Sequence, residues 1–215
     1  MDIKASYNWI KEYLSTDLSA EDFAREVSLR SMSVESIRDL AQEYSGMVVG
    51  EVRSIKAHPN ADKLKIVVTN IGERDVEIIC GGSNLAGGMK VFVALPGSKV
   101  RWHGEGDLVE LAETKIRGES SYGMICAPEE VGFEKAPCPK DGIWDLTGMV
   151  DAPAGTPIAK ALGLEDILFD IEITTNRPDA MGVIGLAREG AASTSGTLKA
   201  PRPPVIPKAG SSKPL

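Results

Sequence analysis

The sequence predicts an α+β protein in which an all-β module, a small closed barrel or sandwich, is inserted into a split α+β domain. Three observations predict this. Apolar residues recur at helical spacing up to about residue 40, and the period becomes strand-like at Met47. Short apolar runs separated by turn residues then fill about eighty residues, the pattern of a small barrel or sandwich. The flanking segments 1–43 and 151–199 each hold too little apolar surface for a core of their own. They are expected to form one domain around the insertion, which is tolerated where entry and exit points lie close together.

Each element has a local reason. "SYNWIKEYLS" (6–15) puts Trp9, Ile10, Tyr13 and Leu14 on one helical face, with Ser6 as N-cap. Ser19, with Asp22 three residues on, starts a second helix in which Phe23 and Val27 stack. "SVESI" reads as a short strand. Candidate strands of the inserted module, 44–150, are 47–55, 63–71, 75–80, 90–96, 108–112 and 122–127. In the turn "HPNADKL", Pro59 fixes its own backbone and biases His58 to extended geometry, while Asn60 and Asp62 can bond nearby N–H groups. Pro128, Glu129 and Glu130 suit one helical turn. Further on, Thr156 caps a helix with Pro157 at its first position and Gly163 just past its end. In 167–173, Ile167, Phe169, Ile171 and Ile173 share one face of a strand. "NRPD" (176–179) reads as a turn held by Asx-type bonds, with pairing of Arg177 to an acidic neighbour or a partner subunit as the other reading. "DAMGVIGLAREGAA" is a helix weakened by Gly182 and Gly185, glycines that let a helix approach another backbone closely; Arg188 and Glu189 form a solvated face. The Pro-rich run 200–215 reads as a linker.

Composition narrows function. No run approaches the length of apolar residues that spans a membrane, and "MDIKASYNWIKEYL" lacks the apolar stretch of a secretory signal. Cys80, Cys126 and Cys138 are odd in number and widely spaced, which fits a reducing cytoplasm and no disulfide framework. With two histidines and no CxxC pair, no metal site is expected. Net charge is −7, yet segment 44–100 holds 7 basic and 5 acidic residues, whereas 101–150 holds 5 and 10. A local basic face on an acidic body is therefore open, beside a plain mixed-sign surface. His58 with Asp62 suggests a base, but no elbow-type serine lies nearby in sequence. No catalytic residue is assigned.

"HPNADKLKIVVTNIG", "IICGGSNLAGGMKVFVALPGS", "KIRGESSYGMICAPEEVGF" and "FDIEITTNRPDAMGVIGLAREGAA" together resemble the N-terminal part of the bacterial phenylalanine–tRNA ligase beta subunit, over residues 1 to about 200. The central module alone resembles a wider family of tRNA-binding oligonucleotide-binding barrels. "EITTNRPDAMGVIGLARE" with "YNWIKEYL" selects the phenylalanine enzyme. The resemblance implies a five-stranded barrel, a tRNA partner specific for phenylalanine, an alpha subunit and an (αβ)₂ heterotetramer, with ATP and magnesium serving the full enzyme. This chain, without a phosphate-cradling loop, is then a piece of that subunit with no chemistry of its own, contributing tRNA contact, subunit scaffolding or both; segment 200–215 leads toward an absent editing domain. DNA is not expected as a partner.

Barrels of this kind bind nucleic acid with basic and stacking side chains on one strand face. Lys63 and Lys65 lie two apart on one strand, and Lys115 and Arg117 do the same in "KIRG"; with Lys90 and Lys99 they can form a positive stripe. By resemblance, Ser83, Asn84, Ser121 and Met124 lie at the RNA surface. Tyr122 departs from the family pattern, which has a small or amide side chain there; it either stacks on a base or reshapes the surface. The competing reading of all these residues is that they shape the barrel and its loops. Two other functions remain: a free-standing RNA-binding or chaperone-like barrel, which would not need "EITTNRPDAMGVIGLARE", and a small hydrolase using His58, Asp62 or Cys126.

Overall fold

The structure, a computed structural model, describes residues 1–199, so the run 200–215 read above as a linker lies outside the described residues. In chain order the elements are β1 (Asp2–Ser6), α1 (Tyr7–Tyr13), β2 (Leu14–Ser15), α2 (Ala20–Arg30), β3 (Ser33–Asp39), α3 (Leu40–Glu43), β4 (Met47–His58), β5 (Ala61–Asn70), β6 (Asp75–Cys80), β7 (Lys90–Ala94), β8 (Lys99–Arg101), β9 (Leu108–Glu110), β10 (Thr114–Ile116), β11 (Glu119–Ser121), β12 (Met124–Ile125), α4 (Ile158–Ala161), β13 (Ile167–Glu172), α5 (Val183–Thr194) and β14 (Thr197–Leu198). Two compact units result. One combines Met1–Arg38 with the chain from Asp166; the other is Asp39–Glu165.

In the first unit β13 lies between β1 and β3, and pairs antiparallel with β1 from Asp2 opposite Glu172 to Ser6 opposite Leu168. The alternation of β13 places Phe169, Ile171 and Ile173 in the core. The rings of Tyr7, Phe23 and Phe169 meet there with centroids 5.1 to 5.7 Å apart. Both serine caps form: Ser6 Oγ accepts from the Trp9 N–H at 2.9 Å, and Ser19 Oγ from the Asp22 N–H at 3.1 Å. Trp9 does not join the buried face. It is 54% exposed, because α1 stops at Tyr13 and the chain turns at Leu14, which is buried as part of β2.

The glycine-containing helix is α5. It starts later than expected, after a short 3₁₀ turn at Pro178–Ala180, so Gly182 is its N-cap. Gly185 is the close-approach position: a Cβ there would lie 1.9 Å from the Asp179 carbonyl oxygen. Gly190 does the same against the Phe23 ring, at 2.6 Å.

The second unit is built on a five-stranded antiparallel sheet in the order β12-β7-β4-β5-β6. β4 is twelve residues long and pairs on both edges, with register shifts at Val52/Ser54 and Ala57/His58. One core cluster stacks Phe92 on Trp144 at 5.7 Å, beside Phe133 and Tyr44. The other gathers Val52, Val67, Ile78, Val91 and Val93. The expected closed barrel is not found as a ladder: among the described residues no strand pairing joins β6 to β12. The Tyr122 N–H donates to Glu77 O at 2.9 Å, and Ser121 Oγ accepts from the Ile79 N–H at 3.0 Å, but pairing goes no further. Gly123, at φ 89°, interrupts the segment; a Cβ there would sit 2.4 Å from Ala94 O, and β12 is left with two residues.

The α4 cap also differs. Pro157, not Thr156, is the N-cap, and the Thr156 hydroxyl donates to Pro153 O at 2.7 Å. Gly163, at φ 68°, stands just past the C-cap Leu162 as expected.

Candidate nucleic-acid interface

The turn "HPNAD" closes the β4–β5 hairpin, and His58 is buried within it. Its Nδ1 accepts from the Asn60 N–H at 3.0 Å, and its Nε2 lies 3.1 Å from Ile116 O. A backbone N–H only donates and a carbonyl only accepts, so these contacts fit the neutral imidazole with its proton on Nε2. Both nitrogens are committed to backbone, and Asp62 is not their partner. A His58–Asp62 base pair is therefore not assembled. Cys126 is also unsuited to nucleophilic chemistry: it is fully buried, and burial pushes its thiol well above the ordinary value.

The residues marked for RNA contact fall into two sets. Asn84 clamps the backbone of Ile143, donating from Nδ2 to its carbonyl at 3.0 Å and accepting its N–H at 2.8 Å. Ser83 Oγ donates to Lys140 O at 3.1 Å. Ser121 is buried, and its hydroxyl both accepts from Ile79 and donates to Gly123 O at 3.0 Å. Met124 packs against the Phe92–Trp144 cluster. Lys65 Nζ donates to Gly82 O at 3.0 Å and Lys90 Nζ to Val150 O at 3.1 Å. These six side chains hold loops and core together. The Gly-rich loop hid this in the sequence, because the segments it clamps lie 57 to 59 residues away.

Lys63, Lys115 and Arg117 are exposed, and none has an ion-pair partner among the described residues. Lys99 is exposed too, on β8. Arg117 does not share a strand face with Lys115. At φ 50° it forms, with Gly118 at φ 101°, the two-residue turn joining β10 to β11. That turn meets the first hairpin: Asn60 Nδ2 donates to Arg117 O at 3.1 Å. Sequence reading missed one further contact, the Arg74 guanidinium 4.5 Å from the centre of the partly buried Tyr122 ring. Their separation in sequence gave no local signal.

In the first unit Arg177 of "NRPD" pairs with acidic neighbours, the second of the two readings of that turn. Arg177 grips both carboxylate oxygens of Asp179, each at 3.1 Å, and reaches Glu189 Oε1 at 2.5 Å. Glu189 also accepts from Ser31 Oγ at 2.5 Å, so it is an anchor and not a solvated face. The hydrogen bonds from Arg177 hold the Asp179 carboxyl below its ordinary value. A pocket of about 140 Å³ adjoins this network, lined in part by Ser31, Ser33, Glu172 and Thr174.

Among the described residues no group of three His, Cys, Asp or Glu side chains is placed to hold a metal ion, and no helix is long and apolar enough to cross a membrane.

Comparisons with known proteins bear on this geometry directly. A family model described as "Putative tRNA binding domain" matches residues 47–153, which lie inside the second unit. The phenylalanine–tRNA ligase beta subunit of Francisella tularensis is 38% identical over 210 residues, covering 95% of this chain and 25% of that protein. The beta subunit of Geobacter metallireducens is 38% identical over 200 residues, 93% of this chain and 24% of its own length. That of Neisseria meningitidis is 35% identical over 97% of this chain and 25% of its own length. A solved structure, the C-terminal domain of Plasmodium vivax p43, is 27% identical over 37% of this chain and 43% of that one; its TM-score of 0.28 is too low to bear on the fold. The chain thus spans about a quarter of the length of the curated relatives it matches. It is similar to phenylalanine–tRNA ligase beta subunits along nearly its whole length, and its centre, residues 47–153, matches the tRNA-binding family model.

Proposed function

We propose that this chain is the non-catalytic, tRNA-contacting part of a phenylalanine–tRNA ligase beta subunit. The observation that carries the reading is the coincidence of two boundaries: the tRNA-binding family match, residues 47–153, falls within one compact unit, and similarity to beta subunits continues through the other. The same continuity is why a free-standing RNA-binding barrel is the weaker reading.

On this reading the Asp39–Glu165 unit is an oligonucleotide-binding-type barrel whose seam stays open at Gly123. The split domain that flanks it is the Met1–Arg38 and Asp166 onward unit, where the sequence predicts the bounds 1–43, 44–150 and 151–199. The partners are phenylalanine-specific tRNA and an alpha subunit, in an (αβ)₂ assembly in the cytoplasm, where three free cysteines are at home. ATP and magnesium would serve the full enzyme. No step is assigned to either group on this chain.

The test is retention of deacylated tRNA by the 215-residue chain in a filter-binding or gel-shift titration. Saturable binding that favours tRNA over an unstructured homopolymer is expected. No binding at low salt would contradict the reading.

A further inference from the structure

We infer that His58 and Asn60 are positioning residues that lock two hairpins into one cationic corner for RNA phosphates, with Lys63, Lys115 and Arg117 supplying the charge. This rests on the tRNA-contacting reading above and narrows it to one place on the second unit.

The β10–β11 hairpin poses a mechanical problem. Its strands are three residues each and pair with no other strand. A hairpin of that size does not hold itself together in water. It is pinned at two points. Near its end at β11, the Ser121 hydroxyl bonds Ile79 of β6. At its tip, His58 Nε2 donates to Ile116 O and Asn60 Nδ2 to Arg117 O. The Asn60 N–H to His58 Nδ1 bond fixes the imidazole so that Nε2 faces Ile116. A buried histidine with both nitrogens bonded to backbone thus serves one purpose here: it sets the Arg117–Gly118 turn against the β4–β5 turn.

The lock has an electrostatic consequence. Arg117 and Lys115 are held beside the segment that carries Lys63, and all three are exposed with no ion-pair partner among the described residues. The carboxylates on the same segments are Asp62, Glu113 and Glu119. Glu119 is partly buried, and the described ion pairs include none between these and the three cations. Unpaired cations on neighbouring segments suit a phosphate backbone, since each displaces condensed counterions without first breaking a salt bridge. The other small hairpin, β8–β9, exposes Trp102 for stacking, but Glu105, Asp107 and Glu110 surround it in sequence and would repel phosphate.

The experiment measures tRNA affinity of the full chain across a salt series for wild type, K63A/R117A, N60A, H58A and K63A/R117A/N60A. Removing two phosphate-contacting charges should flatten the slope of log K against log salt by about 1.5. N60A, which removes no charge, should weaken binding about three- to tenfold with an unchanged melting temperature, and should add little on top of K63A/R117A. That non-additivity is what a merely structural role would not produce. If H58A fails to fold, N60A at an exposed position carries the test. Wild-type binding that neither N60A nor K63A/R117A weakens, or effects that add in full, overturns this inference and leaves the tRNA reading standing. Absence of wild-type binding overturns both.

Discussion

The two units differ in how far their charged side chains pair with one another. In the unit of Met1–Arg38 with the chain from Asp166, arginines pair with carboxylates: Arg177 with Asp179 and Glu189, Arg25 with Asp22, Arg30 with Glu26. In the unit of Asp39–Glu165, Arg53 pairs with Glu51, Lys65 and Lys90 hold carbonyls, and Lys63, Lys115 and Arg117 hold no carboxylate among the described residues. Ion pairs occur in both units; what marks the second is that the exposed Lys63, Lys115 and Arg117, on two hairpins joined by the Asn60–Arg117 bond, have no carboxylate partner among the described residues, which suits an anionic partner in spite of the net charge of −7.

The comparison can be broken at several points. The largest effect is expected at Phe169, fully buried between the Tyr7 and Phe23 rings. Phe169→Ala should cost about 3–5 kcal/mol by urea or thermal melting, because ring contacts are lost and a cavity remains. A loss below about 1 kcal/mol would mean the aromatic cluster does not hold that unit. Gly185→Ala comes next. Its Cβ would meet the Asp179 carbonyl, so a loss of about 1–3 kcal/mol is expected, whereas Gly182→Ala, with open space around it, should be milder.

Smaller effects separate the units by pH. Arg177 lowers the Asp179 pKa, so the stability from that pairing is present above the ordinary value of 3.8 and is lost as pH falls through the lower folded value. Arg177→Ala should therefore flatten the acid limb of the stability profile. Glu130 behaves in the opposite sense. Burial raises its carboxyl above the ordinary 4.5, despite the bond from the Ala127 N–H, so its contribution is full below 4.5 and is lost as pH rises through the raised folded value. Glu130→Gln should remove that decline. Identical pH profiles for wild type and variant would contradict either assignment.

How much was legible follows from the range of the interactions. Strands such as Asp75–Cys80 and Ile167–Glu172 and the caps at Ser6 and Ser19 are written in spacing and neighbouring residues, and sequence patterns locate them. The turn at "HPNAD" was also legible, but its partner was not. His58 bonds Ile116, 58 residues on, and no local pattern announces that. The same limit explains Asn84 and Ser83, which read as exposed RNA ligands and are occupied by distant backbone. Ser121, placed at the RNA surface by resemblance, is buried at the seam between β6 and the 121–123 segment, another long-range contact that no local pattern announces. The open seam is likewise invisible in the sequence: the tight space at Gly123, where a Cβ would sit 2.4 Å from Ala94 O, arises only in three dimensions.

The most direct test of the contrast is a two-dimensional NMR titration of the labelled 215-residue chain with deacylated tRNA. Shifts and broadening concentrated at residues 58–63 and 114–118, with the amides around Arg177 and Glu189 unmoved, are the predicted result. Perturbations centred on the Arg177 network, or on Ser83 and Asn84 with the two hairpin tips silent, would contradict it.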